Sequence, residues 1–183
     1  MSAGLLVLCL VVYPAGLAAG AGITLVHGEL RTSGPFLALD SYYNVDLSGD
    51  ALEALTSGVP LTLEITARVI RPRWWWWDAD LAERSVRITL RYHALSRRYV
   101  VHNEMDGERR TFFRQDVALT VWGSLPGMRL VQLQRLDPET EYLVEARARL
   151  DLDALPHPLR TVAYVSPEWR LVSDWYTWPV ERE

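Results

Sequence analysis

Twice between Leu61 and Tyr92 the chain alternates apolar and polar residues with a period of two. Leu61, Leu63, Ile65, Ala67 and Val69 share one side, and Thr62, Glu64, Thr66 and Arg68 share the other. The second run, over 86–92, turns Arg87, Thr89 and Arg91 to its polar side. Only a strand puts residues i, i+2 and i+4 on one face, and one wet face implies antiparallel pairing. The same signals predict strands over 23–31, 36–47, 99–102, 109–113, 128–133 and 142–150, broken by Ser33-Gly34-Pro35, Asp106-Gly107 and Asp137-Pro138. Two short helices are expected. One is capped by Asp50 with Glu53 three residues on and closed by Gly58, and the other spans 115–122 and stops at Gly123. Many short antiparallel strands with brief connections predict an all-β sandwich.

Four consecutive tryptophans, Trp74, Trp75, Trp76 and Trp77, half of the chain's eight, lie within Arg71-Pro72-Arg73-Trp74-Trp75-Trp76-Trp77-Asp78. Neither a strand nor a helix points four adjacent side chains one way. Some of these indoles must leave the main core. The structural reading is a second aromatic core beneath the C-terminal Trp169, Trp175 and Trp178. The functional reading is an aromatic platform on which sugar rings, Pro-rich segments or hydrophobic partners dock, with Arg71, Arg73 and Asp78 supplying polar contacts.

All 19 basic residues are arginine. With no lysine, Schiff-base and Walker-type chemistry is excluded. A net charge of −4 disfavours non-specific nucleic-acid binding. Arg68, Arg87, Arg91, Arg147 and Arg149 fall on outward strand positions, with Glu64 and Glu145 among them. They make either a lattice of cross-strand ion pairs or a face for anionic headgroups. The one cysteine, Cys9, sits in the apolar run from Leu5 to Val12. That run, followed by Ala19-Gly20-Ala21, has the shape of a secretory signal over 1–21, although it lacks a basic start. The alternative is an uncleaved N-terminal anchor, which brings membrane contact. Either leaves residues 22–183 outside the inner membrane, in the periplasm, as one β-sandwich domain of ordinary size.

Leu136-Asp137-Pro138-Glu139-Thr140-Glu141-Tyr142-Leu143-Val144-Glu145-Ala146-Arg147-Ala148 resembles the corner and following strand of fibronectin type III domains. The resemblance implies an immunoglobulin/fibronectin-III-like sandwich in which the Tyr142 hydroxyl bonds back to the corner's backbone. A wider resemblance rests on the tetratryptophan segment, Leu90-Arg91-Tyr92-His93-Ala94-Leu95-Ser96-Arg97, Leu155-Pro156-His157-Pro158-Leu159-Arg160, Glu168-Trp169-Arg170-Leu171 and Ser173-Asp174-Trp175-Tyr176-Thr177-Trp178. Together these segments look like an uncharacterised proteobacterial family, domain of unknown function 4390. Membership implies export and an association with membrane sensor kinases, but it brings no ligand or catalytic residue.

Catalytic patterns are weak. His102-Asn103-Glu104 lacks the cysteine pair of a zinc deaminase. Asn44-x-Asp46-x-Ser48-Gly49 begins like a calcium loop but has Leu55 where the bidentate Glu belongs. Asp78 with Asp80, and Asp151 with Asp153, are the carboxylate pairs that strand spacing allows. No cofactor, metal or nucleic acid is expected. The sequence points to a non-catalytic exported module that binds a protein or an envelope glycan through aromatic residues. Two rivals stand beside it: an envelope-polymer hydrolase working through paired carboxylates, and an anionic-lipid binder working through the arginine face.

Overall fold

The computed structural model describes residues 21–72 and 79–181. Its strands are β1 (Gly22–Ser33), β2 (Phe36–Asp46), β3 (Leu61–Arg71), β4 (Ala79–His93), β5 (Arg98–Asn103), β6 (Arg109–Phe112), β7 (Ser124–Gln132), β8 (Leu143–Leu150) and β9 (Tyr176–Pro179). They pair antiparallel into two sheets, β1-β2-β7 and β6-β5-β4-β3-β8-β9. The chain changes sheet from β2 to β3, from β6 to β7 and again from β7 to β8. The result is an all-β sandwich with the strand order of the immunoglobulin/fibronectin type and an added hairpin, β5–β6, on the β4 edge. The alternation at 61–69 does what its period requires. Leu61, Leu63, Ile65, Ala67 and Val69 are wholly buried between the sheets, opposite Leu37, Leu39 and Tyr43 of β2. Each large aliphatic among them contributes about 1.5–3 kcal/mol.

One sheet is three strands narrower than the other, so the inner face of β4 and β5 needs another cover. Helix α2 (Gln115–Trp122) provides it. Trp122 is fully buried, and its indole N–H donates to the Ile88 carbonyl at 2.7 Å. The helix stops at Gly123 because the next residue runs into β2. Tyr43 N–H donates to the Gly123 carbonyl at 2.9 Å, and a Cβ on Gly123 would lie 2.0 Å from the Tyr43 carbonyl oxygen.

Helix α1 (Gly49–Thr56) closes one end of the sandwich and buries Ala51 and Leu55. Its cap is Ser48, whose Oγ accepts from Ala51 N–H at 3.2 Å, and not Asp50, which lies inside the first turn. The same end carries a third helix beyond the two expected from sequence, α3 (Leu159–Val165), in a stretch flanked by Pro156, Pro158 and Pro167. The opposite end holds the corner between β7 and β8. There Asp137 N–H donates to the Tyr142 hydroxyl at 3.3 Å, the backbone bond that the fibronectin resemblance implied, and Leu136 is buried.

Strand β7 begins at Ser124, four residues before the expected start at Met128, so it includes Leu125-Pro126-Gly127. The strand expected over 128–133 leaves these residues out. Their place on an edge strand, where the register against β2 skips, removes the objection to proline. Gly127 has a φ of +72° and donates its N–H to Asp40 Oδ1. No described helix is long and apolar enough to cross a membrane.

The contact at Gly123 yields a sharp prediction. Gly123→Ala drives a methyl into backbone rather than into a yielding side chain and is expected to destabilise the fold by about 2–3 kcal/mol. Gly49→Ala, which meets open space, stays within about 0.5 kcal/mol of the native protein. Urea unfolding of the two variants measures the difference.

Candidate functional site

The two sheets meet along a seam between the edge strands β1 and β9. Two side chains of β9 close it. The Trp178 indole N–H donates to the Gly28 carbonyl at 3.1 Å, and the Tyr176 hydroxyl accepts from Leu25 N–H at 3.1 Å. Trp178 lies so close to β1 that a Cβ on Gly28 would sit 2.3 Å from its Cζ2. An isolated glycine inside a strand marks such an approach, and this was the one sequence signal for the seam. Behind it the Tyr43 phenol is wholly buried; burial, then the neighbouring Tyr176, raise its pKa above the ordinary range.

Beyond Trp178 the seam opens into a groove of about 890 Å³ at the corner end. Its apolar lining includes Leu30, Leu37, Leu133, Leu136, Pro138 and Val180. One rim is the backbone of β1. Tyr43 N–H bonds to Gly123 on the β7 side of β2, so the odd residues of β2 turn their backbone groups to β7 and the even ones to β1. The partners of those even residues, Glu29 opposite Asp40 and Arg31 opposite Ala38, therefore bond within the sheet. Gly28, Leu30 and Thr32 turn their N–H and C=O groups the other way, into the groove. Trp178 occupies the Gly28 carbonyl. The groups of Leu30 and Thr32 form an open strand edge over an apolar floor. No local pattern marks these lining residues, because they come together only when the sheets stack.

The aromatic residues proposed from sequence do not converge. Arg73, Trp74, Trp75, Trp76, Trp77 and Asp78 lie outside the described residues. They connect β3 to β4, whose ends pair at Arg71 and Ala79. Ile70, Leu143 and Pro179 stand in one row across three neighbouring strands, so the connection leaves the sheet about 10 Å from Pro179 at the groove. Trp178 forms the groove wall. Trp169 is 2% exposed and packs beside α1 at the other end of the sandwich, away from any shared surface with the groove. Trp175 goes elsewhere again. Arg149 faces Val172 and Ala146 faces Tyr176, so four steps of the tail match three of β8. The resulting bulge sends Trp175 onto the outer face of the six-stranded sheet. Ser173 repairs the ladder there, its Oγ accepting from Ala148 N–H at 3.0 Å.

On that outer face the arginines are placed by register. Arg87, Glu64 and Arg149 form one row and Glu83, Arg68 and Glu145 another, with opposite charges adjacent in each. Arg87 reaches Glu64 at 3.3 Å and Asp151 at 3.0 Å; Arg149 reaches Glu64 at 2.5 Å; Arg68 reaches Glu145 at 2.7 Å. Asp151, then Glu64, raise the pKa of Arg87 further. Glu64 points outward by parity yet its side chain is only 7% exposed, because the arginine stems cover it. Arg68 and Arg147 each place a guanidinium 4.5 Å from a Trp175 ring centroid. Arg91 is exposed. The carboxylate of Asp151, one of the pair suggested for a hydrolase, accepts from Arg87 at one oxygen and from Asp153 N–H at the other.

The fold and these surfaces define an immunoglobulin-like sandwich with an apolar groove at one seam and an arginine–carboxylate lattice on its broad face. The chain belongs to the family described as Domain of unknown function (DUF4390), whose model matches residues 21–179. No curated protein and no solved structure matches it.

The lattice turns on Glu64, the one carboxylate shared by two arginines in these pairs. Glu64→Gln is expected to cost about 1–2 kcal/mol, discounted for the half-exposed arginines. Arg91→Gln stays within about 0.5 kcal/mol. Thermal or urea unfolding of both variants checks the contrast.

Proposed function

We propose that this protein is an exported, non-catalytic interaction module that recognises a protein or an envelope glycan at the corner end of the sandwich. One observation carries the reading. The groove beside Trp178 combines an apolar floor with the outward-facing backbone groups of Leu30 and Thr32. An extended polypeptide satisfies both features: its backbone pairs with the strand edge while alternate side chains enter the floor. This favours a protein partner over a glycan. Strands β3 and β4, which the tetratryptophan segment links, meet at Arg71 and Ala79 at the same end, which supports counting that segment as part of the binding surface. The association with sensor kinases implied by the family resemblance makes a membrane signalling protein a reasonable source of the bound segment.

Thr32→Pro separates binding from folding. Its N–H points into the groove and makes no bond within the sheet, so the substitution removes a donor for the partner and none from the ladder. Capture from envelope extract with the native protein, with Thr32→Pro, and with Trp75→Ala combined with Trp76→Ala tests the proposal. Retention of one envelope protein is expected to fall about ten-fold or more in both variants, the equivalent of about 1.4 kcal/mol or more. Loss of a bound glycan in the tryptophan variant alone would select the glycan. Equal capture by all three proteins would overturn the reading.

A further inference from the structure

The end of the sandwich opposite the groove carries a surface of different chemistry. The β4–β5 turn projects there, and Leu95 at its tip is fully exposed. Arg97 holds the turn in the left-handed region, with a φ of +53°. Beside it, where β6 passes into α2, Phe113 is 72% exposed, and the Arg98 guanidinium lies 4.5 Å from its ring centroid. Residues 91–103 contain Arg91, His93, Arg97, Arg98 and His102 and no Asp or Glu. Asp116, at the start of α2, is occupied by Arg114. The exposed leucine and phenylalanine are flanked by Arg97 and Arg98, which make no ion pair among the described residues, while exposed acids of this end, Asp50 and Glu53, lie on α1. Such a tip suits an anionic lipid interface. Apolar side chains enter the acyl boundary there while guanidinium groups hold phosphates.

The chain's own path points the same way. Gly22, opposite Asp46, opens β1 at this end, beside the segment that leads into α1. The residues joined to it carry the apolar run Leu5-Leu6-Val7-Leu8-Cys9-Leu10-Val11-Val12. We infer that the β4–β5 tip, with Leu95, Phe113, Arg97 and Arg98, is a membrane-contact element that seats this end of the sandwich on an anionic bilayer surface. The inference does not rest on the groove, and it concerns a different surface from the arginine lattice, where most cations are already paired.

A depth probe at the tip tests it in the full chain. With Cys9→Ser as background, Leu95→Cys carries an environment-sensitive fluorophore, and Glu139→Cys carries the same label at the corner end. Each protein is mixed with phosphatidylcholine vesicles with and without phosphatidylglycerol. The label at 95 is expected to shift to the blue and to be quenched by nitroxide lipids only when phosphatidylglycerol is present, while the label at 139 stays in water. Each arginine near such a surface is worth about five-fold in affinity, so Arg97→Glu with Arg98→Glu weakens the response at 95 more than about 25-fold. Both positions are exposed, so the fold tolerates the change. A label at 95 that still reports water on vesicle-bound protein overturns the inference. So does a response that phosphatidylglycerol and charge reversal leave unchanged.

Discussion

The contact between Trp178 and Gly28 holds the two sheets in register along their open edge. A three-stranded sheet facing a six-stranded one must leave seams, and an edge strand at a seam leaves backbone groups without partners. Here two side chains of β9 reach across and satisfy two of them, the Leu25 N–H and the Gly28 carbonyl. An unmet buried group costs about 1–3 kcal/mol, so these bonds matter more for what they prevent than for their net strength. Only glycine at position 28 leaves room for the indole. The groove begins where this coverage ends, and its open strand edge is the continuation of the one that Trp178 closes.

The broad outer face solves a different problem. Five arginines on adjacent strands would repel one another if they stood alone. Register puts Glu64 between Arg87 and Arg149, and Arg68 between Glu83 and Glu145. Thr66 and Ser85 share a hydroxyl bond at 2.9 Å between these rows. Arg147, which faces Thr66 rather than an acid, is accommodated by Trp175. The choice of arginine matters here. A guanidinium can donate in its plane to a carboxylate while its face stacks on an indole, as Arg68 does with Glu145 and Trp175. A lysine ammonium cannot do both.

The sandwich was legible because period-two alternation is a local signal that burial enforces, as at 61–69. The corner was legible because Tyr142 and Asp137 are five residues apart and their bond is set by the chain between them. The candidate site was not. Leu30, Leu133 and Val180 share a groove only through the stacking of two sheets, and no spacing in the sequence records that. The C-terminal tryptophans show the same limit. Trp169, Trp175 and Trp178 look like one cluster within ten residues, but a turn buries the first and a bulge turns the second to the outer face. Helix α3 escaped detection because its seven residues lie between Pro158 and Pro167, too short a stretch for a helical period to register.

Strand parity separates the two surfaces whatever their occupants. The chain enters at Gly22 beside α1, runs to the corner end along β1, returns along β2 and runs out again along β3. An attachment through the N-terminus and a connection after β3 must therefore lie at opposite ends. The twelve residues of β1 put roughly 35–40 Å between them. No change of side chains alters this, because it follows from the count of strands. A sandwich seated by the end where β1 begins holds its groove and the paired ends of β3 and β4 away from the seat, at a distance fixed by strands that are themselves buried on one face. An even number of strands between the two features would have brought them to the same end, and they would then have competed for one surface.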